Sequence, residues 1–287
     1  MVCKFILAFL LSVNCVIAFG QKDAFVIYNS KGRKVSLNKM KNGLLEQSFI
    51  FFGEFHDNPI SHWLELEITK DLYSEHGNRL KLGFEMFEQD QQSLLNDLIS
   101  GVIDNKNFND SCRLWSNYST DYEPIVQFAK QNDIFCLASN IPRAYASRLF
   151  KRGRTSLDSL SDIEKSYMAP LDFIVDTTLS QYAALLEMGS HMGSAINFVE
   201  AQAIKDATMA YFLLKNWNND EVFLHFNGAY HTDFYQGIIW YLLNENEDIS
   251  LATISTVTQD DTGKLEKEHY GKADYIICVD NDMTKTH

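Results

Sequence analysis

The sequence predicts an α/β protein: a mainly parallel sheet covered by helices on both faces. Two observations carry this. Short runs rich in Val, Ile, Leu and Phe recur along the chain, apolar at consecutive positions as in strands buried on both sides. Each of the first four is followed by a helical pattern, twice opened by a proline at the first helical position.

In order, "SFIFFG" (48–53) reads as a fully buried strand. Asn58-Pro59 then reads as an N-cap and first helical residue, opening a helix over 59–76. "LKLGFEMF" (80–87) is the second strand, followed by a helix through "EQDQQSLLNDLIS". "DIFCLA" (133–138) is the third, and Pro142 opens "PRAYASRLFK". "EVFLHFNG" (221–228) is the fourth, with a helix over "TDFYQGIIWYLLN". "ISLATISTV" and "ADYIICV" close the series. Between the third and fourth units, about residues 155–219 read as an all-helical insertion, a small subdomain or lid over the sheet. Its longest helix, "INFVEAQAIKDATMAYFLLKNW", offers Ala203, Ala207 and Ala210 for close packing, and "GSHMGS" reads as a loop tip.

Composition is that of a globular chain: 287 residues, 46% hydrophobic, four prolines, and no repeat or low-complexity tract. The net charge of −13 argues against a nucleic-acid partner, which needs clustered Lys and Arg. "RLFKRGR" (148–154) reads as a solvated helix end. Residues 1–20 read as a secretory signal cut before Gln21, giving an exported chain, periplasmic or bound to the cell envelope, whose single domain spans 21–287. A lipidated Cys15 is the alternative, with Asn14 a poor residue before such a cut. Cys112, Cys136 and Cys278 make neither a disulfide framework nor the paired spacing of a zinc site.

The informative feature is where polar residues fall relative to the strands. Glu54 and His56 follow the first, and Glu85 ends the second. Asn140, Pro142 and Arg143 follow the third, Asn227 and His231 the fourth, and Gln259, Asp260 and Asp261 the fifth. In an open parallel sheet these ends share one edge, where ligands bind. Glu54, His56, Glu85 and His231 suit water activation by general base catalysis. The same four suit a divalent metal held through the two histidines and a carboxylate. His62 stands near a helix start, as core or as ligand. His225 reads as buried structure, and His76, His269 and His287 as surface or tail.

Six ordered segments, "FFGEFHDNPISHWLELE", "LGFEMFEQDQQ", "LWSNYSTDYEPIVQFAK", "ASNIPRAYA", "AQAIKDATMA" and "HFNGAYHTDFYQGI", strongly resemble the ChaN-like haem-binding proteins over about residues 48–258. The resemblance implies an exported, often lipidated haem-binding protein of iron acquisition, with a possible link to an outer-membrane haem uptake system. It also implies haem as cofactor, a homodimer with two haems face to face, and a tyrosine on iron. The G-x-x-H loop, here Gly53 to His56, is shared in that superfamily with erythromycin esterases and TIKI-type metal-dependent proteases, so a hydrolase is the alternative. Tyr145, Tyr122 and His191 are the candidate axial ligands, with Tyr145 favoured. Arg143 and Arg148 are candidates for the propionates, and Asn140 and Asn227 for the cleft wall.

Overall fold

The computed structural model describes residues 23–190 and 194–286. The expected export signal and the candidate ligand His191 lie outside them. The strands are β1 (Phe25–Asn29), β2 (Phe49–Glu54), β3 (Leu80–Glu88), β4 (Cys136–Asn140), β5 (Val222–Gly228), β6 (Leu251–Gln259) and β7 (Tyr275–Asp280). They form one sheet in the order β1-β7-β6-β2-β5-β3-β4. Every pairing is parallel except that of β1 with β7. The fold class expected from the strand–helix alternation is therefore the one observed.

The α-helices are α1 (Leu37–Leu44), α2 (Pro59–His76), α3 (Gln92–Ile99), α4 (Asn105–Ser111), α5 (Glu123–Gln131), α6 (Arg143–Arg152), α7 (Asp162–Lys165), α8 (Ser180–Gly189), α9 (Ala195–Lys215) and α10 (Ile238–Glu245). They cover both faces, and β2 shows why its sequence is apolar at every position. Ile50 and Phe52 enter a core shared with Leu64 and Ile68 of α2 and with Ile125 and Val126 of α5. Phe49 and Phe51 enter the opposite core, with Leu149 of α6, Ile204 of α9 and Ile238 of α10. Alternate side chains thus feed two cores.

Asn58 Oδ1 accepts from the amides of Ile60 and Ser61 at 3.0 and 3.1 Å, with Pro59 at the first helical position as the sequence suggested. The segment 155–219 is not uniform. It holds α7 and α8, but α9 contacts β4 directly and packs on α6, α8 and α10. Ala203, Ala207 and Ala210 are buried there.

Several boundaries moved. "DIFCLA" yields a strand only from Cys136, because Asp133 takes a left-handed φ of 53° that ends the preceding turn. The helix expected over "TDFYQGIIWYLLN" starts at Ile238, because Phe234, Tyr235 and Gly237 have φ of 60°, 59° and 55°. Asp233 anchors that turn, accepting from Ser255 Oγ at 2.5 Å and Lys272 Nζ at 3.0 Å. His269 is buried, not surface. Cys112, Cys136 and Cys278 are buried free thiols. Among the described residues no helix is long and apolar enough to cross a membrane.

Candidate ligand cleft at the carboxyl edge of the sheet

The register of the central strands brings the polar strand ends together. Glu54 lies opposite Gly228, Gly53 opposite Asn227, and Glu88 opposite Asn140. Gly53 is needed for close approach: a Cβ there would stand 2.9 Å from Ala229 Cα and 3.0 Å from Ile254 O. Above this edge opens a cleft of about 1000 Å³ whose lining includes Glu54, His56, Glu85, Asn140, Arg143 and His231. A second hollow of about 880 Å³, walled by Arg113, Trp115 and Tyr145, meets it at His56, Glu88, Trp115 and Arg143. The two make one groove.

Two carboxylate–imidazole sets form its floor. In the first, His56 Nδ1 is 2.6 Å from Glu54 Oε1, and the Tyr122 hydroxyl donates to the same oxygen at 2.7 Å. His62 lies below, its Nδ1 3.0 Å from Glu54 Oε2 and 3.2 Å from Glu65 Oε2. Its Nε2 faces the His56 carbonyl at 3.2 Å and Asp121 Oδ2 at 3.3 Å. In the second set, His231 Nε2 is 3.2 Å from Glu85 Oε1, and its Nδ1 bonds Asp206 Oδ1. Tyr182 donates to the other Asp206 oxygen at 2.7 Å, and Glu85 Oε2 accepts from the Gly228 amide at 2.8 Å. Gly228 separates the sets: a Cβ there would stand 2.8 Å from His56 Nε2 and 3.7 Å from Glu85 Oε2.

Burial works against charge in this floor, and pairing wins at most positions. Burial pushes the Glu54 carboxyl up, but the bonds to His56 and His62 outweigh it and hold it at about 2. Burial pushes Glu85 up too, but His231 holds it well below the usual carboxylate range. Burial lowers His231, and Glu85 with Asp206 reverses this, raising it to about 10. His62 is likewise raised against burial, by Glu54 and Glu65, to about 11. Glu65 is raised, by burial and then by the Glu54 charge. His56 is raised against burial by Glu54 and then by Glu85, and its side chain is 37% exposed toward the groove.

The expected cleft residues separate on inspection. Glu54, His56, Glu85, His231, Asn140 and Arg143 line it. Asn140 Nδ2 donates to Glu85 O at 3.0 Å, and its buried Oδ1 has no hydrogen-bond partner. Asn227 does not reach the cleft wall: it is fully buried, accepts from His225 Nδ1 at 3.0 Å, and donates to Gly228 O and Thr232 Oγ1. Tyr122 also turns inward, its ring fully buried and its hydroxyl given to Glu54, which removes it from the candidates for an iron in the groove. Gln259 braces its own turn, donating to Lys264 O and accepting from Glu266 N, and Asp260 bonds Asn281. Arg148 bonds Ser159 Oγ at 2.7 Å and lines neither hollow.

Glu54, His56, Glu85 and His231, expected as a metal set, line the cleft as the pairs Glu54/His56 and Glu85/His231 on either side of Gly228. Among the described residues, the groups of three or more that bring ligand atoms within 4.8 Å are Glu54/His62/Glu65 and Glu266/Glu268/His269, whose two carboxylates are exposed. Asp206, Glu65 and Asp121 were missed by sequence reasoning. Asp206 had a signal: it is a lone acid on an alanine-rich buried helix face, beside Ala203, Ala207 and Ala210. Glu65 had one too, three residues after His62 and between the buried Leu64 and Ile68.

The groove also combines apolar wall with cationic rim. Phe55, Trp115, Ile141, Leu185 and Met188 give apolar wall, and Met188 is 60% exposed. Arg143, Lys205 and Lys285 give cations within reach of carboxylates at its rim. Two tyrosines line it. Tyr230 donates its hydroxyl to Gln181 O at 2.5 Å, whereas the Tyr145 hydroxyl reaches Glu164 Oε1 only at 3.5 Å.

An open α/β sheet with a polar and apolar groove along its carboxyl edge is a ligand-binding class of fold. The family model described as "Haem-binding uptake, Tiki superfamily, ChaN" matches residues 40–242, and the chain belongs to that family. Among solved structures, the cofacial haem complex of ChaN from Campylobacter jejuni is similar, with a TM-score of 0.66 and 20% identity over 88% of this chain and 96% of that one. A mutant of the erythromycin esterase EreC in its open conformation is similar in fold, with a TM-score of 0.51 and 10% identity over 88% of this chain and 97% of that one. No curated protein sequence matches.

Proposed function

We propose that this protein is an exported haem-binding protein serving haem or iron uptake, periplasmic or envelope-associated, and that haem lies in the groove at the sheet edge. Membership of the haem-binding uptake family supports the ligand class. The observation that carries the placement is Tyr145: of the two tyrosines lining the groove, its hydroxyl is the one not committed to a short hydrogen bond. Tyr145 faces the iron in this reading, and Arg143, exposed on the same first turn of α6, faces a propionate. Haem, when bound, supplies a ferric centre whose charge a phenolate balances. Burying about 500 Å² of porphyrin face gives roughly 12 kcal/mol of gross apolar driving force, less the costs of association.

Pairing of two subunits over the groove follows from the same reading, since the exposed Phe55 and Met188 would cover a haem face only in part. The test is haemin titration of wild type and Tyr145→Phe. Wild type should shift the Soret band, and the variant should shift it to a different position. Identical spectra from both would remove Tyr145 from the iron.

A second reading, hydrolysis in the same cleft, has its own observation. His56 keeps Nδ1 on Glu54 and turns Nε2 toward Gly228 and the cleft, the orientation a general base needs. His56→Ala should then abolish turnover of a chromogenic ester. Absence of any turnover by wild type eliminates this reading without touching the first.

A further inference from the structure

We infer that Glu54, His62 and Glu65 form a closed binding site for a zinc-type divalent cation beneath the groove, separate from the haem surface. Their donor atoms lie within 4.8 Å of one another, and all three side chains are buried. His62 Nδ1 stands 3.0 Å from Glu54 Oε2 and 3.2 Å from Glu65 Oε2. A tetrahedral ion with bonds of about 2.1 Å sets its ligands about 3.4 Å apart, and both carboxyl distances to His62 Nδ1 lie within a few tenths of an ångström of that. One imidazole nitrogen and two carboxylate oxygens are the donors that zinc and its neighbours share, with a fourth position left for water.

A second observation points to a ligand. Glu65 Oε1 is buried with no hydrogen-bond partner, although Glu65 is 0% exposed, and Glu54 Oε2 meets only the His62 imidazole. A buried carboxyl oxygen left without a partner beside a second carboxyl and one imidazole is costly, and a cation would satisfy it.

The surroundings are arranged as outer partners of a metal site. Both other valences of Glu54 are used on Oε1, by Tyr122 at 2.7 Å and His56 at 2.6 Å, which leaves Oε2 turned inward. The far nitrogen of His62 meets the His56 carbonyl at 3.2 Å and Asp121 Oδ2 at 3.3 Å, which fixes Nδ1 as the donor to the ion. Asn117 bonds both of those acceptors, at 2.9 and 2.7 Å. Phosphate, haem propionate or any other anion is excluded from this pocket by its carboxylates. An ion enters from the groove, since Glu54 lines it and the partly exposed His56 is the cover.

The test uses the full mature chain without a histidine tag, stripped by chelator and titrated with Co2+ as a spectroscopic probe, no haem being present. Wild type should develop visible ligand-field bands that saturate at one equivalent, and zinc should displace them. Saturating zinc should raise Tm by about 5 °C, because an ion bound only by the folded state stabilises it. Glu65→Gln and His62→Asn, each checked for an unchanged far-UV spectrum, should lose the bands, while Glu268→Gln in the exposed acidic group should keep them. A wild type that shows no bands overturns the site, whatever the variants do. Bands that survive both buried substitutions overturn it equally, and neither result bears on the Soret test of haem binding.

Discussion

Replacing Glu85 by Gln should weaken the fold measurably and flatten its response to alkali. Glu85 is buried, accepts from Gly228 N at 2.8 Å, and stands 3.2 Å from His231 Nε2. Gln keeps the shape and can still accept from Gly228, but it removes one of the two carboxylates that hold His231 charged. Breaking a buried ion pair outright costs about 3–5 kcal/mol. Here Asp206 remains on Nδ1 and the neutral imidazole can accept from the new amide, so the loss should be about 2–3 kcal/mol at pH 7. For a chain of this size that is a fall in Tm of about 4–12 °C. The pH dependence gives the sharper reading. His231 is raised from its ordinary range to about 10, against burial, by Glu85 and Asp206. Its contribution is therefore fully present below about pH 6.5 and is lost as pH rises toward 10. Urea unfolding of wild type should show a falling midpoint between pH 7 and 10, and Glu85→Gln should show a shallower fall. Equal midpoints for both proteins at pH 7, or a wild-type midpoint flat across that range, would refute the electrostatic account of this pair.

Other consequences are simpler to measure. Gly53→Ala should destabilise by about 1–3 kcal/mol in a urea melt, because the new methyl meets Ala229 and Ile254 backbone, which cannot move aside cheaply. The thiols of Cys112, Cys136 and Cys278 should resist a thiol reagent such as DTNB until denaturant is added, since all three are buried and burial raises each well above the ordinary thiol range. On the acid side, Glu85 contributes above the ordinary carboxylate range and loses its contribution as pH falls below it, so wild type should unfold more readily below about pH 3 than Glu85→Gln does relative to its own neutral value.

The sheet was legible because parallel strands buried on both faces must be apolar at successive positions, as "FIFF" and "VFL" are. Strand β1 was missed. "FVIYN" is short, half-buried and an edge partner of β7, so its pattern does not stand out from the charged residues around it. The cleft was legible through strand ends, a rule of topology. Which strand-end residues reach the cleft was not, because that depends on side-chain direction: Glu85 turns to Gly228 and His231, while Asn227 turns inward to His225. Partners supplied by helices were the hardest to see. Asp206 and Glu65 lie on α9 and α2, and only the packing of those helices on the sheet aims their carboxyls at His231 and His62. Each carboxylate–imidazole pair of the cleft floor is thus completed by an acid from a helix.

The central claim is that the groove at the carboxyl edge of the sheet holds haem through α6. The most direct measurement is a haemin titration of the wild-type chain, followed at the Soret band and repeated with Arg143→Ala. The account predicts saturable binding with a shifted Soret band, and several-fold weaker affinity when the Arg143 guanidinium is lost. A Soret band that stays at the position of free haemin at every protein concentration would contradict it.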